Sequence, residues 1–167
     1  MLQPHFVQFA AYNRWANQRL YDEAAVLPDA ARKRELGLFF HSLHGTLNHI
    51  LVADRVWLRR LTGAGEEPAR LNQILFEDFA ALRTAREQED ARIIGFVGNL
   101  REEDFDAAFE YRTLAGKAHA QRRADTLAHF FNHQTHHRGQ AHAALTILGV
   151  PEPAPLDLLY MQRMQGG

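Results

Sequence analysis

The sequence predicts an all-α fold, an up-down four-helix bundle formed as one domain over residues 1–167. Three observations support this. Four long segments keep the apolar periodicity of helices, the breaks between them are short or moderate and marked by Gly or Pro, and only one stretch departs from that pattern. The apolar share of 46% and charged share of 23% are ordinary for a globular chain long enough to bury one substantial core.

The first helix is expected over residues 5–27, with Phe6, Phe9, Tyr12, Ala16, Leu20 and Ala24 on one face and Leu27-Pro28-Asp29 as its stop. Trp15 and Tyr21 lie off that stripe and are expected to pack against a loop or a partner chain. A second helix is expected to begin between Ala31 and Leu36 and to reach Leu61, before Gly63 and Gly65. Its apolar residues cover more than half of its circumference, the pattern of a helix buried on several sides. His49 lies beside Val52, Ala53 and Val56 on a second apolar face, while His41 and His44 fall on the polar side. Asp54 projects from the main apolar stripe, where a carboxylate is costly unless paired, and is read as a buried structural group.

After a linker at 63–73, a third helix is expected from Glu77 to Val97, its charged middle R-E-Q-E-D-A-R forming a solvated face. Between Asn99 and Arg123 the periodicity fails. F-E-Y-R-T-L, Ala115-Gly116-Lys117 and A-H-A-Q-R suggest a short β-hairpin or an extended loop. The fourth helix starts near Arg123-Ala124-Asp125 and ends at Leu148, with Gly149 and Pro151 as its stop. A last short helix is expected within Leu156–Met164.

Composition excludes several function classes. Net charge is −1 and only Lys33 and Lys117 are lysines, so no basic stripe exists to follow a nucleic-acid backbone. The absence of Cys removes disulfides, thiolate ligands and a Cys nucleophile. No apolar run reaches the length of a membrane span, and M-L-Q-P-H-F-V-Q-F lacks the pattern of a signal peptide. A soluble cytoplasmic protein is expected.

The chemistry concentrates in Asn132–Gln140, N-H-Q-T-H-H-R-G-Q. Residues four apart on a helix are about 40° apart around its axis, so His133 and His137 point the same way and can share a metal ion. A His-rich polar face is the plainer alternative. Two histidines one turn apart cannot close a site, and His49, in the middle of a buried helix, is the best candidate for a third ligand. A core histidine with satisfied hydrogen bonds is its alternative. Gln134 stands where the H-E-x-x-H metalloproteases carry Glu, the Glu-x-x-His pairs of di-iron bundles are absent, and Ser42, the only serine, has no nucleophile-elbow context. A site of three histidines leaves positions open to water or substrate.

N-H-Q-T-H-H-R-G-Q at 132–140, L-N-H-I-L-V-A-D-R-V-W-L at 47–58 and Y-N-R-W-A-N-Q-R-L at 12–20 together resemble the DinB family, in the wider DinB/YfiT-like superfamily. The match in order and separation extends over essentially the whole chain. The family name records damage-inducible expression. The resemblance implies a four-helix bundle, commonly a homodimer, with a divalent metal held here by His49, His133 and His137. Related branches include S-transferases using bacillithiol, mycothiol or glutathione, and an isomerase of the maleylpyruvate type. No residue here identifies a thiol cosubstrate.

The resulting expectation is a metal-dependent transferase or hydrolase acting on a small molecule, with Zn²⁺ or Ni²⁺ as the ion and metal-bound water or a thiolate as nucleophile. A low-molecular-weight thiol is one candidate cosubstrate. His136, Gln134 and Arg138 are candidates to support the ligands or touch substrate. An exposed polar position is the alternative for each, and it is favoured for Arg138. One rival is a non-catalytic metal-binding stress-response protein, its site closed by a fourth ligand such as His129. The other is a metal-free helical interaction module using its dimer face.

Overall fold

Pro4 occupies the first turn of the first helix, where its missing N–H would have had no partner in any case. This helix, α1, runs Gln3–Ala25 in the computed structural model, which describes residues 1–165. It is followed by α2 (Asp29–Arg32), α3 (Leu43–Thr62), α4 (Phe79–Gly98), a 3₁₀ turn (Glu102–Phe105), strands β1 (Ala108–Arg112) and β2 (Ala118–Arg122), α5 (Arg123–Ile147) and α6 (Leu158–Gln165). The chain is thus mostly helical with one small two-stranded sheet.

The largest departure from expectation lies before α3. The predicted helix from Ala31–Leu36 onward is instead the single turn α2, a compact loop, and α3 starting at Leu43. The loop closes on itself: the Leu36 N–H donates to His41 O at 2.7 Å and the His41 N–H to Leu38 O at 2.8 Å. Gly37 and His41 both take the left-handed conformation, with φ of 70° and 67°, which no continuing helix permits. Ser42 then caps α3, its Oγ accepting from the Gly45 N–H at 3.0 Å. Phe39 and Phe40 therefore belong to the loop: Phe39 faces solvent and Phe40 is buried. A Cβ on Gly45 would lie 2.1 Å from the Phe40 carbonyl oxygen, so glycine allows the loop to close over the start of α3.

The other boundaries follow local chemistry. Gly63, at φ 71°, ends α3 in the left-handed conformation. Asp78 caps α4 by accepting from the Ala81 N–H at 2.8 Å. The expected hairpin is present, antiparallel, pairing Ala108 with Arg122 through Arg112 with Ala118. The left-handed Gly116 lies in its connection.

α1 packs against α4 and α5, and α3 against the same two helices. One apolar cluster gathers Leu20, Leu43, Leu47, Leu51, Leu82 and Leu145, and a second gathers Phe6, Leu58, Ile93, Phe105, Leu127 and Phe130. Tyr21 is a correction: it is core, stacked on Phe79 at 5.6 Å. Trp15, expected against a loop or a partner chain, packs instead toward Tyr160 of α6.

Between these clusters lies a buried polar network to which all four long helices contribute. Arg86 of α4 reaches Asp54 of α3 at 2.6 Å and Asp90 of its own helix at 3.0 Å. Asn13 and Asn17 of α1 donate to Asp90 at 3.1 and 2.9 Å. Gln134 of α5 donates to Asp54, and Arg138 donates to Asn13 and, at 3.3 Å, to the Gln134 carbonyl. The expectation of a solvated R-E-Q-E-D-A-R face is overturned, because Arg86, Glu89 and Asp90 are all buried. Arg86 and Asp90 are one turn apart and reach inward to partners on the other helices.

Removing one partner of a buried pair strands the other charge in a low-dielectric interior. Arg86→Met is accordingly expected to lower unfolding free energy by about 3–5 kcal/mol, measured by urea titration. A loss below about 1 kcal/mol, typical of a surface pair, would contradict the network's importance.

Candidate metal centre

Three histidines from two packed helices converge on one point. His49 lies on α3, and His133 and His137 lie on successive turns of α5. Among the described residues, each offers a ring nitrogen, and these atoms all lie within 4.8 Å of one another. The ring centroids are 4.4 Å apart for His49–His137, 4.3 Å for His133–His137 and 5.3 Å for His49–His133.

The hydrogen bonds fix which nitrogens face inward. His49 Nδ1 is 2.8 Å from the Leu71 carbonyl oxygen, which can only accept, so Nδ1 carries the proton. His137 Nδ1 lies 2.7 Å from Gln140 Oε1. In their neutral forms both rings then direct an Nε2 lone pair at the other, and these two atoms are 3.3 Å apart. Two lone pairs at that separation repel, and no proton lies between them. Two nitrogens each about 2.05 Å from a tetrahedral zinc would stand about 3.3 Å apart. The donor set fits a divalent ion.

The electrostatics keep the rings in the ligand form. Burial pushes the His49 imidazole down to about 4, opposed by its bond to Leu71. Burial and the neighbouring His137 and His49 push His133 down to about 3, and burial also lowers His137. Neutral imidazole is the metal-binding species.

Several supports of the site lie outside the residues singled out from sequence. Phe40 stacks on His49 with centroids 3.7 Å apart and planes inclined by 14°, fixing the ring plane. The Leu71 carbonyl comes from the linker. Gln140, one turn beyond His137, orients that ring, and its spacing in the motif was the available signal. His136 is exposed and lies 3.4 Å from Gln140 Nε2, next to the support rather than at the cluster. Gln134 and Arg138 turn into the interior network and are 0% and 2% exposed, so Arg138 is no surface residue. Asp54 is the paired structural carboxylate expected. His129 is exposed, 6.0 Å between centroids from His133, and outside the three-nitrogen cluster. His44, expected on a polar side, is buried and bonds the Phe76 carbonyl at 2.9 Å. His142 lies over the Ala154 carbonyl at 3.1 Å.

Beside the histidines opens a cavity of about 500 Å³. Its walls are His49, His133 and His129, Trp57 and Arg60 of α3, and the hairpin connection at Thr113–Ala115. Small molecules therefore have access to the cluster from the side.

A DinB family model matches residues 1–166. The chain belongs to the DinB family. Protein DinB of Bacillus subtilis (strain 168) is 25% identical over 152 residues, covering 87% of each chain. A DinB-like protein from Bacillus cereus ATCC 10987 has a similar fold, with a TM-score of 0.72 at 20% identity, covering 93% of this chain and 99% of that one. In this DinB-family chain no helix among the described residues is long and apolar enough to cross a membrane.

The lowered histidine values carry a stability consequence. In the unfolded chain a histidine protonates near 6.5, whereas His133 and His49 in the fold protonate only near 3 and 4. The unfolded state thus binds more protons between these limits, and stability is full above pH 6.5 and falls as pH drops toward 4. For chelator-treated protein, the urea midpoint of the wild type is expected to fall more steeply over that window than that of His133→Leu. Equal slopes would contradict the buried, neutral assignment of His133.

Proposed function

We propose that this chain is a divalent-metal-binding DinB-family protein whose three-histidine site, on an up-down four-helix bundle, serves a metal-dependent reaction of a small molecule. The observation that carries this is the opposed pair of Nε2 lone pairs on His49 and His137, at tetrahedral-ligand separation, with both Nδ1 atoms already bonded elsewhere. Three neutral imidazoles suit zinc, nickel or copper. Such an ion supplies a Lewis acid with coordination positions left free.

The chain's own residues then divide the work. His49, His133 and His137 hold the ion, while Phe40, the Leu71 carbonyl and Gln140 hold the imidazoles. Trp57 and Leu114 offer apolar walls to a substrate entering from the cavity. His129, exposed at the cavity edge and packed edge-on against Trp57 at 5.2 Å, is placed to exchange a proton with that substrate. The reaction class we favour is transfer or hydrolysis, with a low-molecular-weight thiol as one cosubstrate to test. A closed structural site would need a fourth protein donor, and only three gather among the described residues.

Untagged protein is expected to bind one zinc or nickel ion per chain by calorimetry and elemental analysis, and His49→Ala, His133→Ala and His137→Ala are each expected to abolish stoichiometric loading. Metal content unchanged in these variants would overturn the assignment. Gln140→Ala should keep the stoichiometry but weaken affinity about 10–100-fold, the usual effect of removing the partner of a ligating histidine. An unaltered affinity would show that Gln140 does not orient His137.

A further inference from the structure

The cavity beside the histidines is lined without a single acidic side chain, yet it contains a cation. α3 presents His49, Ala53, Trp57 and Arg60 at intervals of four, four and three residues, so all four lie along one strip of the helix. His49 and Arg60 are separated by about 16 Å of helical rise. Helical side chains lean toward the N-terminus, which brings the guanidinium back over the strip toward the histidines. It lies over Trp57, 4.7 Å from the ring centroid, and over Tyr111 at 5.1 Å.

Arg60 differs from its neighbours in making no side-chain hydrogen bond or ion pair among the described residues. Arg55 pairs with Glu66 at 2.8 Å and Arg59 donates to the Gly65 carbonyl at 3.1 Å. The Arg60 Nε is buried with no hydrogen-bond partner, and Glu67 acts on it only through space. Two aromatic faces hold the guanidinium, and stacking of this kind leaves its in-plane N–H groups free for an oxyanion. The guanidinium lines the cavity, and its N–H groups there can meet a ligand carrying two oxygens in bidentate fashion. Among the described residues no acidic side chain lines the cavity to compete for the guanidinium.

We propose that Arg60 is a specificity determinant that takes the anionic end, carboxylate or phosphate, of an elongated small substrate. The apolar or flat middle of that substrate lies on Trp57 and Leu114, and its other end reaches the histidine cluster. The role assigned to that far end rests on the metal-site proposal above; the anion preference at Arg60 does not, because it belongs to the metal-free cavity as well.

The test is calorimetric binding of three probes to chelator-treated and zinc-loaded protein: 4-phenylbutyrate, its neutral analogue 4-phenylbutyramide, and 3-phenylpropyl phosphate. In the metal-free wild type, at least one anion is expected to bind about tenfold to a hundredfold more tightly than the amide. Arg60→Gln should remove that preference while leaving amide affinity unchanged, and Arg60→Lys should restore part of it. Whichever anion shows the larger Arg60-dependent preference identifies the substrate's charged group. A preference that survives Arg60→Gln, an equal loss for anion and amide, or no saturable binding of either anion would overturn the proposal. The two proposals separate cleanly. Anion preference lost in Arg60→Gln from a chain that loads no zinc would sink the metal assignment alone, and stoichiometric zinc with no role for Arg60 would sink this one alone.

Discussion

Arg86 is the residue on which the arrangement depends. Its guanidinium bridges Asp54 of α3 and Asp90 of α4, and Asp90 in turn receives Asn13 and Asn17 from α1. Through Gln134 and Arg138 the same network includes α5. Apolar packing alone tolerates rotation of one helix against another, whereas a chain of directional bonds among four helices fits only one set of rotations. Buried ion pairs add little net stability over a well-packed apolar core, but breaking one is expensive. Here their consequence is orientation. With Asp54 turned inward, His49, five residues earlier on α3, faces the cavity side.

The same constraint acts on α5 residue by residue. His133 and Gln134 are consecutive, as are His137 and Arg138, and consecutive helical residues point about 100° apart. Gln134 and Arg138 are anchored in the polar interior, so their preceding neighbours emerge together toward α3 and meet His49. The supports then act on individual rings: Phe40 on the plane of His49, the Leu71 carbonyl on its proton, Gln140 on the proton of His137. The helix interior holds its charged groups in a bonded network, and the cavity beside it is lined by histidines, apolar side chains and Arg60. Segregation of that kind sets the three histidines apart from the charged groups of the interior.

Much of this was legible from the chain. Helical periodicity located the long helices, and the i,i+4 spacing of His133 and His137 with a buried His49 identified the three residues that the structure brings together. The hairpin was visible as a loss of helical period around Gly116. Other features were hidden for identifiable reasons. Phe39 and Phe40 prolong an apolar helical pattern, and only the Ser42 cap and the left-handed His41 show that the helix starts later. Arg86, Glu89 and Asp90 are coloured by their charge as surface residues, since a sequence displays one helix at a time and does not show Asp54 of α3 meeting Arg86 or Asn13 and Asn17 of α1 bonding Asp90. Phe40, Leu71 and Arg60 acquire their roles only when linker, loop and α3 are brought to the same cavity, which local spacing does not encode. Gln140 was within the motif at the right spacing, and its significance rests on the orientation of the His137 ring.

The central claim is that this scaffold aims three imidazoles at one ion and leaves the remaining coordination open. X-ray absorption at the zinc edge on stoichiometrically loaded, untagged protein tests it most directly. Three imidazole nitrogens are expected at about 2.0–2.1 Å with one or two light-atom ligands from solvent. Four imidazoles, or a shell of oxygens with fewer than three, would contradict it.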